Sequence, residues 1–298
     1  MIVAAHRQER PHTPDRCPFC PGAPDIPEHF DVISIPNRYP ALSMEGDSPE
    51  TSGDIYARKG ARGYCEVILY TPKHDLSLGE MAPDHIGKLV DLWASRYETL
   101  GADPLIRYVL IFENRGEEIG VTLTHPHGQI YAFSFIPPKI QRELDSAKSF
   151  WERRKRCLFC SILAGEIKEG KRIVGGNEDF VYFVPFAGRW PYELHLYPRR
   201  HVGSLSDLSG SEREHLAQLI GEIVKKYDNL FGYPMPYMMI LHQRPTDGEY
   251  KYYHFHVEFY PVHRSKHQTK YLGGVESGAG TFINPTMPEE KARELREI

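Results

Sequence analysis

His125, Pro126, His127, Gly128 and Gln129 form an unbroken His-Pro-His-Gly-Gln string, flanked by Thr124 and the apolar run Ile130, Tyr131, Ala132, Phe133. Two imidazoles two residues apart, followed by an amide, suffice for a metal ligand, a nucleophile for phosphorus and a donor to a charged oxygen. If His125 binds metal, an extended backbone puts His127 on the same side. Pro126 cannot donate to a strand ladder, so the string is expected at a sheet edge or in an irregular segment that leaves the rings accessible. Imidazole attacks phosphorus at neutral pH without a separate base when a fixed acceptor, such as a backbone carbonyl, keeps its other nitrogen protonated. Gln129 follows on the same face, placed to donate to a phosphoryl oxygen as charge develops. The bland alternatives are a core histidine or further metal ligand at 127 and an ordinary strand amide at 129.

Five cysteines stand at 17, 20, 65, 157 and 160, giving two CxxC pairs and one remainder. In a reducing compartment such pairs suggest metal or redox chemistry rather than disulfides. A thioredoxin-like pair would lie between a strand and a helix. Here the first pair lies in Asp15-Arg16-Cys17-Pro18-Phe19-Cys20-Pro21-Gly22, which looks like a zinc knuckle. Cys65 falls in a strand-like run and reads as a small buried hydrophobe. Cys17, Cys20, His74 and His125 complete a Cys2His2 set, and Cys157, Cys160, His201 and His254 offer a second, the usual closed tetrahedral donor set for zinc. The alternative is that some cysteines are merely buried and the lone histidines cap or fill gaps.

The elements that must position these groups occur twice, in the same order. First come a CxxC, a strand at Glu66 to Tyr70, His74, a helix from Pro83 to Leu100, a strand at Tyr108 to Glu113, and the His125/His127 pair. Then come Cys157 and Cys160, a strand at Glu193 to Tyr197, His201, a helix from Ser211 to Leu230, a strand at Tyr237 to His242, and His254-Phe255-His256. The landmarks are offset by 140 (Cys17 to Cys157), 127 (His74 to His201) and 129 (His125 to His254) positions, as in a duplicated unit with loop-length changes. Ile86, Leu89, Val90 and Trp93, and Leu216, Leu219, Ile220 and Ile223, are core stripes of the two helices. The expected class is α+β, with two mostly antiparallel sheets and packed helices, halves at 1–150 and 151–298, and the boundary near Glu152-Arg153-Arg154-Lys155-Arg156, which otherwise reads as a solvated helix end.

With 298 residues and 41% hydrophobic content the chain can bury a sizeable core. A net charge of -4 gives no bulk attraction to nucleic acid, so an anionic ligand must be held locally, which favours a small phosphorylated substrate. The polar N-terminus and the lack of a long apolar stretch predict a cytoplasmic protein with no membrane association. GxGxxG does not occur and no GxxxxGK is followed by Ser or Thr, so no Rossmann or P-loop nucleotide site is expected.

These residues resemble the histidine-triad superfamily and, more closely, the galactose-1-phosphate uridylyltransferases. His6-Arg7 with Arg10-Pro11 is similar to that family's early arginine motif, Asn37 in Ile35-Pro36-Asn37-Arg38-Tyr39-Pro40 to its uridine-side asparagine, and Phe112-Glu113-Asn114-Arg115-Gly116 with Gly120 to Gln129 to its signature segment. The resemblance implies a homodimer in which Arg7 and Arg10 reach the neighbouring site. It implies phosphate contacts from Asn114, Gly120, Thr122 and Gln129, with His127 as nucleophile. It implies UMP transfer from UDP-glucose to galactose 1-phosphate through a uridylyl-histidine, with zinc as cofactor and no redox cofactor. Thr122 stands where the family often has serine and keeps the hydroxyl.

Two departures qualify the resemblance. Well-known members bind a second metal through a glutamate and three histidines; this chain offers Glu143, His242 and His256, with Glu258 in place of the last histidine. The repeat instead favours the second Cys2His2 set, like that of the related ADP-sugar phosphorylases. In the tail, Lys270 and Glu276 resemble hexose-phosphate residues, but Val275 and Phe282 replace a common Tyr and Gln. The run Gly273 to Gly280 reads either as backbone N–H donors to phosphate or as a flexible loop. The rival readings are an ADP-sugar phosphorylase or adenylyltransferase and a non-catalytic, zinc-stabilised nucleotide-binding module.

Overall fold

The computed structural model describes residues 1–9, 16–45, 51 and 55–298. Its strands and helices follow the repeat. The first half contributes β1 (Ile33–Pro36), β2 (Gly63–Leu69), α1 (Pro83–Gly101), β3 (Tyr108–Arg115), β4 (His127–Phe133) and α2 (Pro138–Arg154). The second contributes α3 (Leu158–Glu169), β5 (Ile173–Gly176), β6 (Phe180–Phe183), β7 (Leu194–Pro198), α4 (Gly210–Phe231), β8 (Tyr237–His242) and β9 (His256–Pro261). A small ribbon of β10 (His263–Ser265) and β11 (Gln268–Thr269), and helices α5 (Gly274–Ala279) and α6 (Pro288–Arg296), make the tail.

The α+β class and the antiparallel pairing match the sequence reading, but the expected two sheets are one. The order is β1-β2-β4-β3-β8-β9-β7-β6-β5, with the halves joined where β3 pairs antiparallel with β8 from Ile111↔Leu241 to Arg115↔Tyr237. Each of these strands is the inner edge of its own half, and pairing them satisfies backbone groups that would otherwise be exposed. Of the two settings expected for the His-Pro-His string, a sheet edge or an irregular segment, His125 and Pro126 take the second. β4 is an interior strand between β2 and β3, and it begins at His127, so the missing N–H of Pro126 falls before the ladder. The Pro126 carbonyl still accepts from Tyr70 N at 3.1 Å.

α1 and α4 pack side by side on one face of the joined sheet through their 3.6-period stripes, Ile86, Leu89, Val90 and Trp93 from α1 and Leu216, Leu219, Ile220 and Ile223 from α4. Trimming such a side chain, as in Leu216→Ala, costs about 2–5 kcal/mol. α4 starts with a capping box, Ser209 Oγ accepting from Glu212 N at 3.2 Å, and stops at Gly232, whose φ of 77° is left-handed. α2 and α3 cover part of the other face, over Tyr108, Phe133, Phe183 and Tyr197. The rest of that face, along β4 and β3, stays partly open and carries His127, Gln129, Phe112 and Asn114.

Candidate functional site

The first CxxC lies in tight turns ahead of β1, and it meets His74, just after β2, and His125, just before β4. The ligand atoms of Cys17, Cys20, His74 and His125 all lie within 4.8 Å of one another. Cys20 Sγ is 3.5 Å from His74 Nδ1 and 3.8 Å from His125 Nδ1. With both Nδ1 atoms turned to sulfur, the Nε2–H groups are left to donate, His125 to the Thr71 carbonyl at 2.8 Å and His74 to the Thr124 hydroxyl at 3.0 Å. Such outer hydrogen bonds fix the tautomer of a ligating histidine. Burial pushes the His125 pKa down, which keeps its ring neutral and able to bind metal. Cys65 is buried apart from this group, as expected, and burial raises its pKa.

The second set forms in the same way. Cys160 Sγ is 3.2 Å from His201 Nδ1 and 3.1 Å from His254 Nδ1, Cys157 completes the group, and His254 Nε2 reaches the Pro198 carbonyl at 3.1 Å. Two thiolates and two neutral imidazoles fit a divalent metal of zinc's type in both places.

His127 stands two residues beyond the first group. Its Nδ1 is 2.8 Å from the His125 carbonyl, so Nδ1 carries the proton and Nε2 keeps the lone pair. The Phe19 ring leans on the imidazole at 5.0 Å between centroids. His127 borders two clefts. Asn37, Tyr39, Phe19, Thr122 and Gln129 line one with it; Asn114, Thr122, Arg115 and Ser77 line the other. Gly120, with a left-handed φ of 81°, turns the loop that carries Thr122. The fold therefore gathers His127, Gln129, Asn37, Asn114 and Thr122 around one imidazole.

Other expected residues lie elsewhere. Arg7 donates from Nη1 to the Tyr131 hydroxyl at 3.3 Å and lines neither cleft; Arg10 lies outside the described residues. Lys270 and Glu276 pair with each other at 3.0 Å near Trp190 and line neither cleft.

A third group forms around Glu143, His242 and His256, whose potential ligand atoms also lie within 4.8 Å of one another. His242 sits between two carboxylates, Nδ1 3.0 Å from Glu143 and Nε2 3.0 Å from Glu258. Burial alone would lower the His242 pKa, but Glu143 and Glu258 outweigh it and push it up to about 9. Lys139 Nζ adds a second cation 2.8 Å from Glu258. The charge of this group is thus balanced by side chains, and two carboxylates with two imidazoles also form a donor set for a hard or borderline cation.

Sequence reasoning missed Phe19, Thr71 and Lys139. Phe19 had a signal: both CxxC pairs carry Phe at the third position, and Phe159 leans on His256 at 5.0 Å as Phe19 does on His127. Thr71 acts through its backbone and Lys139 through long-range packing, and neither leaves a local pattern.

Residues 4–137 match the galactose-1-phosphate uridyl transferase N-terminal domain and residues 143–298 its C-terminal domain. A galactose-1-phosphate uridylyltransferase of Thermotoga maritima is 40% identical over 304 residues, covering 100% of this chain and 94% of the relative. A solved uridylyltransferase structure superposes with a TM-score of 0.92 at 37% identity, covering 100% of this chain and 94% of that one. An ADP-glucose phosphorylase from Arabidopsis thaliana, solved with bound ADP-glucose, gives 0.82 at 26% identity, covering 99% and 94%. Geometry and likeness together define an enzyme that transfers a nucleotidyl group. More narrowly, the chain belongs to the galactose-1-phosphate uridyl transferase family.

Proposed function

We propose that the chain is a UDP-glucose–hexose-1-phosphate uridylyltransferase. The observation that carries the reading is the His127 imidazole, with Nδ1 tied to the His125 carbonyl, in a residue that lines two clefts. His127 Nε2 attacks the α-phosphorus of UDP-glucose, the P–O bond to the β-phosphate breaks, and glucose 1-phosphate leaves with the bonding electrons. A phosphate oxygen of galactose 1-phosphate then attacks the uridylyl-histidine, giving UDP-galactose and returning the lone pair to Nε2. The leaving and entering groups are chemically alike, so one imidazole serves both half-reactions. The Nδ1–H bond to the carbonyl strengthens as the ring gains positive charge, which favours the intermediate. Gln129, Asn114, Thr122 and the backbone at Gly120 donate to the phosphoryl oxygens, and Asn37 serves the nucleoside side; one such donor is worth about 10²–10³ in rate.

Zinc at the two Cys2His2 sets would be structural, because all four positions of each are filled by side chains. The set containing His125 would hold the carbonyl against which His127 is oriented. The halves 1–150 and 151–298 act as paired units, the protein works in the cytoplasm, a homodimer supplies Arg7 and Arg10 to a neighbouring His127, and Lys270 and Glu276 serve the hexose phosphate. The reading includes no nucleic acid or membrane partner.

The second Cys2His2 set favours one alternative, an ADP-sugar phosphorylase. Incubation with UDP-glucose or ADP-glucose labelled at the α-phosphorus, without acceptor, separates the two. Label retained on protein from UDP-glucose, and its discharge by galactose 1-phosphate, is the expected result. Label from ADP-glucose alone favours the alternative, and label from neither overturns the nucleophile.

A further inference from the structure

Glu113 is the neighbour of Asn114 in β3 but faces the opposite way, toward the apolar layer between the sheet and helices α1 and α4. It is 6% exposed. A carboxyl in such a layer costs free energy unless polar partners compensate it. Two come from the neighbouring strands. The Tyr237 hydroxyl, on β8, donates to Glu113 Oε1 at 3.2 Å. Tyr70, just past β2, approaches from the other side; its hydroxyl and Glu113 Oε2 are both buried without a hydrogen-bond partner among the described residues, and the Glu113 carboxyl helps burial to raise the phenol's pKa.

Strand β4 runs between Tyr70 and Glu113. A Cβ added to Gly128 would fall 2.3 Å from the Tyr70 hydroxyl oxygen and 3.1 Å from the Phe112 carbonyl oxygen. Gly128 is absent from the positive-φ glycines, so space rather than backbone conformation requires a glycine there. The phenol therefore crosses beneath the strand through the gap that Gly128 leaves, directly under His127 and Gln129. The remaining charges facing Glu113 are Arg115, on the same strand, and Asp228 of α4, which Arg115 binds with both terminal nitrogens at 2.8 and 3.0 Å. Burial drives the Glu113 pKa up to about 7 against the opposing effects of Arg115, Tyr237 and Tyr70.

We propose that Glu113 is a positioning residue of the transfer: its carboxyl, bonded to Tyr237 and facing the Tyr70 phenol beneath Gly128, sets the height at which His127 and Asn114 meet the phosphates. This rests on the nucleophile reading of His127. The consequence is a link between β2, β3 and β8 that passes under the reacting strand without touching substrate.

The test measures exchange of label between UDP-glucose and glucose 1-phosphate, with zinc content and melting temperature, for Glu113→Gln and Glu113→Ala across pH 5.5–8.5. Glu113→Ala is expected to lower kcat about tenfold with KM for UDP-glucose within about twofold and zinc unchanged. Glu113→Gln, which keeps the size and hydrogen-bonding oxygen, is expected to keep most of kcat but to lose an ionisation near neutrality that the wild type shows. A second pair reads the geometry directly. Gly128→Ala should lose transfer, and adding Tyr70→Phe, which removes the clashing oxygen, should restore about tenfold of it. Both Glu113 variants with wild-type kcat and pH profile, differing only in melting temperature, would overturn the proposal, as would a double variant no better than Gly128→Ala. A wild-type chain that exchanges nothing overturns the transfer reading and this proposal with it.

Discussion

In the first half, Phe19 leans on His127, whose Nδ1 is held by the His125 carbonyl at 2.8 Å; in the second, Phe159 leans on His256, held by the His254 carbonyl at 2.9 Å. Each pair sits beside a Cys2His2 group. Local geometry therefore does not distinguish the two imidazoles. His256 is 1% exposed, whereas His127 borders two clefts. Where Gln129 offers an amide, the second half has the carboxylate of Glu258, engaged by Lys139 and His242. A carboxylate repels a phosphate, and a sealed ring has no room for one. A Cys2His2 group stands beside a carbonyl-held ring in both halves; access and the residue two positions on are what differ.

The sharpest way to break this comparison is to exchange the two histidines in turn. His127→Gly should abolish protein labelling by UDP-glucose, a loss of at least about 10⁴ in rate, with zinc retained. His256→Asn should leave exchange within about twofold and lower the melting temperature. Equal losses from both would erase the distinction. The metal groups come next. Cys17→Ser should release one zinc per chain and most transfer activity with it, because His125 loses its anchor. Cys157→Ser should also release one zinc and destabilise the fold, yet leave transfer measurable at low temperature. Metal analysis and labelling on the same samples check both.

A third contrast sets Gln129 against Glu258. Gln129→Ala should cost about 10²–10³ in kcat, while Glu258→Gln should act on stability rather than on rate.

Acidity separates the halves more gently. A buried acid with a raised pKa and a buried histidine with a raised pKa both bind protons more tightly when folded. The contribution of Glu113 is fully present below its unfolded pKa and is lost as pH rises to about 7; that of His242 persists to its unfolded pKa and is lost as pH rises through about 9. Each is worth about 3 kcal/mol at most. Denaturation followed from pH 5 to 10 should show stability falling in two successive steps, and Glu113→Gln should remove only the lower one. The smallest effect lies at the junction of the halves. Lys155 ends α2 with a left-handed φ of 55°, where α4 uses Gly232; Lys155→Gly should stabilise by about 0.5–1 kcal/mol, read from the urea midpoint.

Much of the site was legible because its chemistry is written in short spacings. The CxxC pairs, the HxH pairs and the strand-helix-strand order between them place Cys17, His74, His125 and their echoes before any coordinates are considered. What was not legible depends on partners far away in sequence. The joining of two sheets turns on β3 meeting β8, the ion pairs of Glu258 and His242 on Lys139 and Glu143 arriving from α2, and the surroundings of Glu113 on phenols from β8 and from just past β2. The choice between edge and irregular segment for Pro126 turns on a single residue: the proline precedes the strand by one position, and one position decides whether it disturbs a ladder.

The β3–β8 seam has a consequence for how the chain is made. Ile111 and Leu241 pair directly although 130 positions separate them. The N-terminal half leaves the ribosome with β3, eight residues long, as a bare edge, and it stays bare until β8 has emerged. At ordinary translation rates that interval is on the order of ten seconds, long compared with the closing of local turns and helices. During it the nascent chain presents a strand able to accept a partner from another copy of itself, and early release or truncation between the halves would leave that edge open.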